Sequence, residues 1–100
     1  MTDEPEIKLS LRDVSFAVAL PEDAVVELVE HGIVSPPGGS PSSWSFDLTM
    51  VSVVRRATRL HHDLELDWSA VAMVCELLEE RDRLLEDNRR LQQRLRRFLL

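Results

Sequence analysis

The residues that could do covalent or metal chemistry are few and scattered. Histidine occurs at positions 31, 61 and 62, and Cys75 is the only cysteine. Adjacent histidines such as His61 and His62 point their rings in different directions on a helix, which is poor geometry for one metal ion. Cys75 lies inside the apolar run Ala70-Val-Ala-Met-Val-Cys75 with no base beside it, so it reads as a small core side chain rather than a nucleophile. Gly38-Gly39 is followed by no Gly-Lys-Ser/Thr and is no phosphate loop. No catalytic, metal-binding or cofactor-binding residue is expected, and the chain is not expected to be an enzyme. What remains is charge. From Asp13 to Val54 the chain carries six carboxylates (Asp13, Glu22, Asp23, Glu27, Glu30 and Asp47) and no lysine or arginine. A nucleic-acid reader neutralises phosphates with those two basic residues, and this stretch has the opposite sign.

With 100 residues there is room for one small domain and a modest core. The formal net charge is −6, unevenly distributed. Residues 1–50 hold nine acids against Lys8 and Arg12, whereas residues 51–100 hold nine acids against ten arginines. Such asymmetry points to an interaction surface. The N-terminal residues are acidic where a signal peptide is basic and apolar, and no apolar run approaches the roughly 18 residues of a membrane span. A soluble, cytoplasmic protein is expected.

Four helices are expected to position these charges. Residues 1–9 read as a flexible N-terminal arm ending in a short extended piece at Ile7 and Leu9. Ser10-x-x-Asp13 is a capping-box-like start for a first helix over about 11–19, burying Leu11, Val14, Ala17 and Val18. Pro21 suits the first position of a second helix, Glu22 and Asp23 lie at the positive end of its dipole, and Gly32 supplies a left-handed cap after His31. Ser35–Ser43 is composed of turn formers, and Ile33-Val34 could pair with Trp44-Ser-Phe46 as a small hairpin, a wing. Asp47 caps a third helix over about 48–64, with apolar Met50, Val53, Val54, Ala57, Leu60 and Leu64 on one side and Arg55, Arg59 and His62 on the other. Asp67 caps a fourth helix of about thirty residues, too long for so small a body to cover. Its second half carries a heptad stripe, with Leu77, Leu84, Leu91 and Phe98 in one position and Val74, Arg81, Asn88 and Leu95 in its companion. A homodimer through this helix is expected, with Asn88 fixing register. Glu79–Arg83 and Glu86–Arg90 are expected pairs along its surface.

The phrase Leu28-Val-Glu-His-Gly-Ile-Val34, followed after a loop by Trp44-x-Phe46-Asp47, resembles the MerR-like winged helix. The arginine-rich third helix ending Arg59-Leu-His-His-Asp-Leu-Glu-Leu66, the apolar Ala70–Leu78 stretch and the Arg/Leu tail extend the likeness to the CbpM family, the chaperone-modulator branch of that superfamily. The resemblance covers roughly residues 8–98. It implies an all-α, mainly helical protein: a MerR-like winged helix-turn-helix over 10–66 with a small β-hairpin wing, and a long C-terminal dimerisation helix over 67–100. It further implies binding to the J-domain of a CbpA/DnaJ-type co-chaperone and restraint of that co-chaperone's action on Hsp70. A J-domain presents a basic helical face, so an acidic partner would be steered toward it.

On that reading the partner surface comprises Asp13, Glu22, Asp23, Glu27 and Glu30, with Val26 as an apolar anchor in a polar rim. The second helix lacks the basic and aromatic residues of a DNA reader, and the wing lacks arginine. The other readings of the same residues are a solvated acidic face with no partner, a MerR-like DNA-binding regulator using the arginines of helix three and the tail, and an interaction domain for some other basic protein. Nucleic acid and membrane are not the expected partners.

Overall fold

The computed structural model describes residues 7–100. Four helices follow in order: α1 (Leu11–Val18), α2 (Glu22–Glu30), α3 (Leu48–Asp63) and α4 (Trp68–Leu99), with a 3-10 turn at Pro41–Ser43 before α3. The structure is mainly helical, as expected, and there is no sheet among the described residues. The arm residues 1–6 lie outside the described residues.

Helices α1, α3 and α4 begin where a side-chain cap places them, whereas α2 starts at Glu22, with Pro21 as its N-cap rather than its first residue and no side-chain cap. Ser10 and Asp13 close a reciprocal capping box: the Asp13 N–H donates to Ser10 Oγ at 3.2 Å, and the Ser10 N–H donates to Asp13 Oδ2 at 3.0 Å. Helix α1 ends at Val18 because Ala19 turns left-handed at φ 55°, and the Ser15 hydroxyl donates to the Leu20 carbonyl. Helix α2 ends in a Schellman motif. Gly32 sits at φ 76°, its N–H donates to the Val29 carbonyl at 2.9 Å, and the Ile33 N–H donates to the Leu28 carbonyl at 3.2 Å. Asp47 and Asp67 cap α3 and α4, accepting from the Met50 and Ala70 N–H groups at 2.8 Å each. Replacing Asp47 with alanine is expected to cost about 1 kcal/mol of stability, and Asp47→Asn only a few tenths, because asparagine still accepts that bond. Urea titrations of the three proteins measure the difference; equal losses would show that the cap hydrogen bond contributes nothing.

The core is where α1, α2, α3 and the first two turns of α4 meet. Val14, Val25, Leu28, Val54, Ala57, Phe46 and Val71 are fully buried, joined by Val18, Ile33, Val34, Val51, Trp68 and Cys75. Three expectations need correction. Ala17 is exposed, because the core side of α1 is set by Val14 and Val18. On α3 the buried row is Val51, Val54 and Ala57, with Met50, Val53 and Leu60 beside it, whereas Leu64 falls beyond the helix and is 59% exposed.

The third correction concerns the wing. No hairpin forms between Ile33-Val34 and Trp44-Ser-Phe46. Phe46 pairs instead with Leu9 in an isolated antiparallel bridge, each N–H donating to the other's carbonyl at 2.8 Å. Both backbone groups of Phe46 are therefore taken, and the Ile33 N–H is committed to the α2 cap. Pro36, Pro37 and Pro41 have no N–H to offer a ladder. The loop closes on itself, with the Ser45 N–H donating to the Pro37 carbonyl at 3.1 Å. Gly38, at φ 127°, is held so close that a Cβ there would lie 2.5 Å from the Ser43 carbonyl oxygen.

Candidate protein-interaction surface

Helices α1 and α2 pack against each other and turn their polar sides outward. Asp13, Glu22, Asp23, Glu27 and Glu30 are all exposed. On α2 the inward positions are Val25 and Leu28, so at 100° per residue Asp23, Glu27 and Glu30 share the opposite side. Glu22, Asp23, Glu27 and Glu30 make no ion pair among the described residues, which leaves their charge available to a partner. Among the neighbouring valines Val25 is fully buried and Val29 is packed against the core, while Val26 is half-buried and stands outside that packing.

Asp13 serves the fold as well as the surface. The Ser10 backbone N–H, and then its hydroxyl, hold the carboxyl below its ordinary value of 3.8, with a smaller contribution from Arg12. The sign follows from the lowered folded-state value. The stabilisation is complete above the ordinary carboxylate range and is lost as pH falls through the lowered value, so the group stays charged at neutral pH.

One exposed residue escaped the sequence reading. Phe16 is 91% exposed. Its signal was present in the pattern: it lies two residues from Val14 and two from Val18, on the side of α1 away from both.

The long helix presents a second surface. No residue from Glu79 to Leu99 is buried. Leu77, Leu84, Leu91, Leu95 and Phe98 of the heptad stripe are each at least 58% exposed, Val74 is half-buried near the body, and Asn88 is exposed. Besides adjacent Arg81 and Asp82 at 3.0 Å, the ion pairs along this helix form three residues apart rather than four: Arg83 with Glu80 at 3.2 Å, Arg89 with Glu86 at 3.2 Å, and Arg90 with Asp87. Both separations are neighbours on a helix surface, and these acids sit nearer their arginines than those expected. Arg94, Arg96 and Arg97 have no ion pair among the described residues, and neither do Glu76 and Glu79.

The histidines and cysteine have other duties. His61 stacks on Trp68, ring centroids 4.1 Å apart at 12°, and its Nδ1 donates to the Leu66 carbonyl, so it braces the corner between α3 and α4. His62 is exposed beside Asp63 at 3.1 Å. Cys75 is buried, and desolvation pushes its thiol up despite the opposing field of Arg56, which makes it a poor nucleophile at neutral pH. Among the described residues no group of His, Cys, Asp and Glu is arranged to hold a metal ion, and no helix is long and apolar enough to cross a membrane.

Comparison with known proteins agrees with this arrangement. The family described as "MerR HTH family regulatory protein" matches residues 9–93. A chaperone modulatory protein CbpM of Pseudomonas putida (strain GB-1) is 44% identical over 92 residues, covering 92% of this chain and 91% of the relative. The CbpM of Pseudomonas entomophila (strain L48) is likewise 44% identical over 92 residues, with the same coverage. That of Citrobacter koseri is 39% identical over 93 residues, covering 93% of this chain and 92% of the relative. These names are those of modulators and regulators, not enzymes. With a MerR-type helical body, a capped acidic helix pair and likeness along almost its whole length, the chain belongs to the CbpM family of chaperone modulatory proteins.

Proposed function

We propose that this protein is a chaperone modulator that binds the J-domain of a CbpA/DnaJ-type co-chaperone and blocks its productive contact with Hsp70. The observation that carries the reading is the outward acidic side of α2, unpaired and free of lysine and arginine, in a member of a chaperone-modulatory family. Glu22, Asp23, Glu27 and Glu30, with Asp13 from α1, set up a negative potential that attracts a basic helical face and raises the rate of encounter. Val26 contributes apolar contact inside that rim. The inhibition is steric: while the acidic surface covers the J-domain's basic face, Hsp70 is excluded from it. No turnover or cofactor enters.

We further propose that the protein acts as a homodimer through α4, joined by Val74, Leu77, Leu84, Asn88, Leu91, Leu95 and Phe98. The unpaired charges favour antiparallel helices. In that orientation Arg94, Arg96 and Arg97 of one copy lie toward Glu76 and Glu79 of the other, whereas a parallel pair sets the arginines against one another.

The exposed arginines of α3 and the regulator family name support a second reading as a DNA-binding factor. The acidic α2 opposes it, because laying those carboxylates along phosphates adds repulsion instead of releasing counterions.

Calorimetric titration against an isolated J-domain of this type, at low and moderate salt, tests the proposal. Saturable binding that weakens with salt is expected. Asp23→Lys/Glu27→Lys, which moves the surface by four charge units, is expected to weaken binding about thirtyfold or more, roughly 2 kcal/mol. Absence of binding at both salt concentrations, with salt-sensitive retention on DNA, would transfer support to the second reading.

A further inference from the structure

Phe16 takes no part in the core. Among the described residues that precede α4 it is the most exposed large apolar side chain, at 91% against 51% for Ile7, 55% for Leu48 and 59% for Leu64. Single exposed apolar residues are common on protein surfaces, but most keep part of their area covered. Phe16 keeps almost none, and the fold shows why. Val14 and Val18 anchor α1 to the core, and at 100° per residue Phe16 stands about 160° from each of them, so its ring is directed away from the body. It makes no contact with another ring, and its removal would leave every buried residue in place.

Its surroundings indicate what would cover it. Arg12 and Asp13 lie one turn earlier on the outward side of α1, and α2, packed on α1, contributes Glu22, Asp23, Glu27 and Glu30. Apart from Arg12, the charged groups of this helix pair are all negative. An exposed aromatic ring with charged neighbours one turn away, on a helix pair that is otherwise negative, has the composition of an interface anchor: the ring loses water on binding, and the charges supply direction. Charge complementarity selects the occupant, since the negative charge of this helix pair attracts a basic surface and repels an acidic one.

We propose that Phe16 is the apolar anchor of the partner interface, seated in an apolar depression between the basic side chains of the helical face that the acidic surface attracts. The proposal rests on the J-domain reading above and places the main apolar contact on α1, with Val26 in support. Binding energy and steering then reside on different helices: Phe16 holds the complex together, and the α2 carboxylates bring it together.

The test is calorimetric titration of wild type, Phe16→Ala, Phe16→Leu and Leu48→Ala against the isolated J-domain, at two salt concentrations. Phe16→Ala is expected to weaken binding about tenfold or more. Its salt dependence should stay that of wild type, because no charge is removed. Phe16→Leu, which retains an apolar side chain, should bind within about threefold of wild type, and Leu48→Ala should bind as wild type does. Thermal melts of Phe16→Ala should coincide with wild type, since the ring covers no core residue, so lost binding would not be lost folding. Phe16→Ala binding within about twofold of wild type would overturn the anchor and leave the J-domain reading standing. Absence of wild-type binding would overturn both.

Discussion

Replacing Leu84 and Leu91 together with aspartate is expected to turn the proposed dimer into a monomer and to unwind the far half of α4. The two leucines are 58% and 60% exposed on a single chain, in a helix where nothing from Glu79 onward is buried. A helix of 32 residues extends about 48 Å at 1.5 Å per residue, and the body covers only its first turns. A solvated helical extension gains little from its own hydrogen bonds, because most helical stability in proteins comes from a packed apolar side. In the proposed dimer the stripe would supply that side. The double change removes four leucines per dimer, at about 1.5 kcal/mol each toward the low end of burial energies, or roughly 6 kcal/mol and about four decades of dissociation constant. Introducing carboxylates at the seam adds desolvation cost on top. Light scattering after size exclusion reads the mass, and circular dichroism at 222 nm reads the helix. A variant that stays dimeric at micromolar concentration would show that the stripe is not the interface. The outcome also bears on the proposed inhibition, since a monomer carries one acidic surface and a dimer two.

Phe46→Ala is expected to be the most destabilising single change in the body. Phe46 heads the fully buried side chains by volume, meets Trp44 edge-on with ring centroids 6.3 Å apart at 84°, and lends both backbone groups to Leu9. Truncating a buried phenylalanine costs about 3–5 kcal/mol, counting the cavity left behind. A domain of this size has only about 5–15 kcal/mol in total, so the variant sits close to its unfolding threshold at 37 °C. Urea denaturation followed by tryptophan emission measures the loss through Trp44 and Trp68. A loss under about 1 kcal/mol would mean that the neighbouring chain collapses into the space, and that the Leu9–Phe46 bridge does not depend on the ring.

Helix ends were legible in the sequence because the signals that set them act over three or four residues. Ser10 with Asp13, then Asp47 and Asp67, are caps that any chain with those residues at those spacings tends to form, and Gly32 is a left-handed stop of the same local kind. The Leu77–Phe98 stripe was legible through its period, and the sign of the surface on α1 and α2 is set by residue identity alone.

Other features depended on contacts between distant segments. Whether Phe46 pairs with Ile33-Val34 or with Leu9 is decided by which donors are already spent, and the α2 cap had spent that of Ile33. Periodicity marked an apolar side on α3, yet the choice of Val51 over Leu64 was made by the place where α1 and α4 press on it and by the helix ending at Asp63. The exposure of Phe16 arose the same way, since two valines on the other side of α1 claimed the core first. Sequence determined where helices start and stop and what charge they carry, because those are local properties of backbone and side chain. Tertiary structure decided which backbone groups pair and which side chains remain in water, because close packing admits only one set of neighbours.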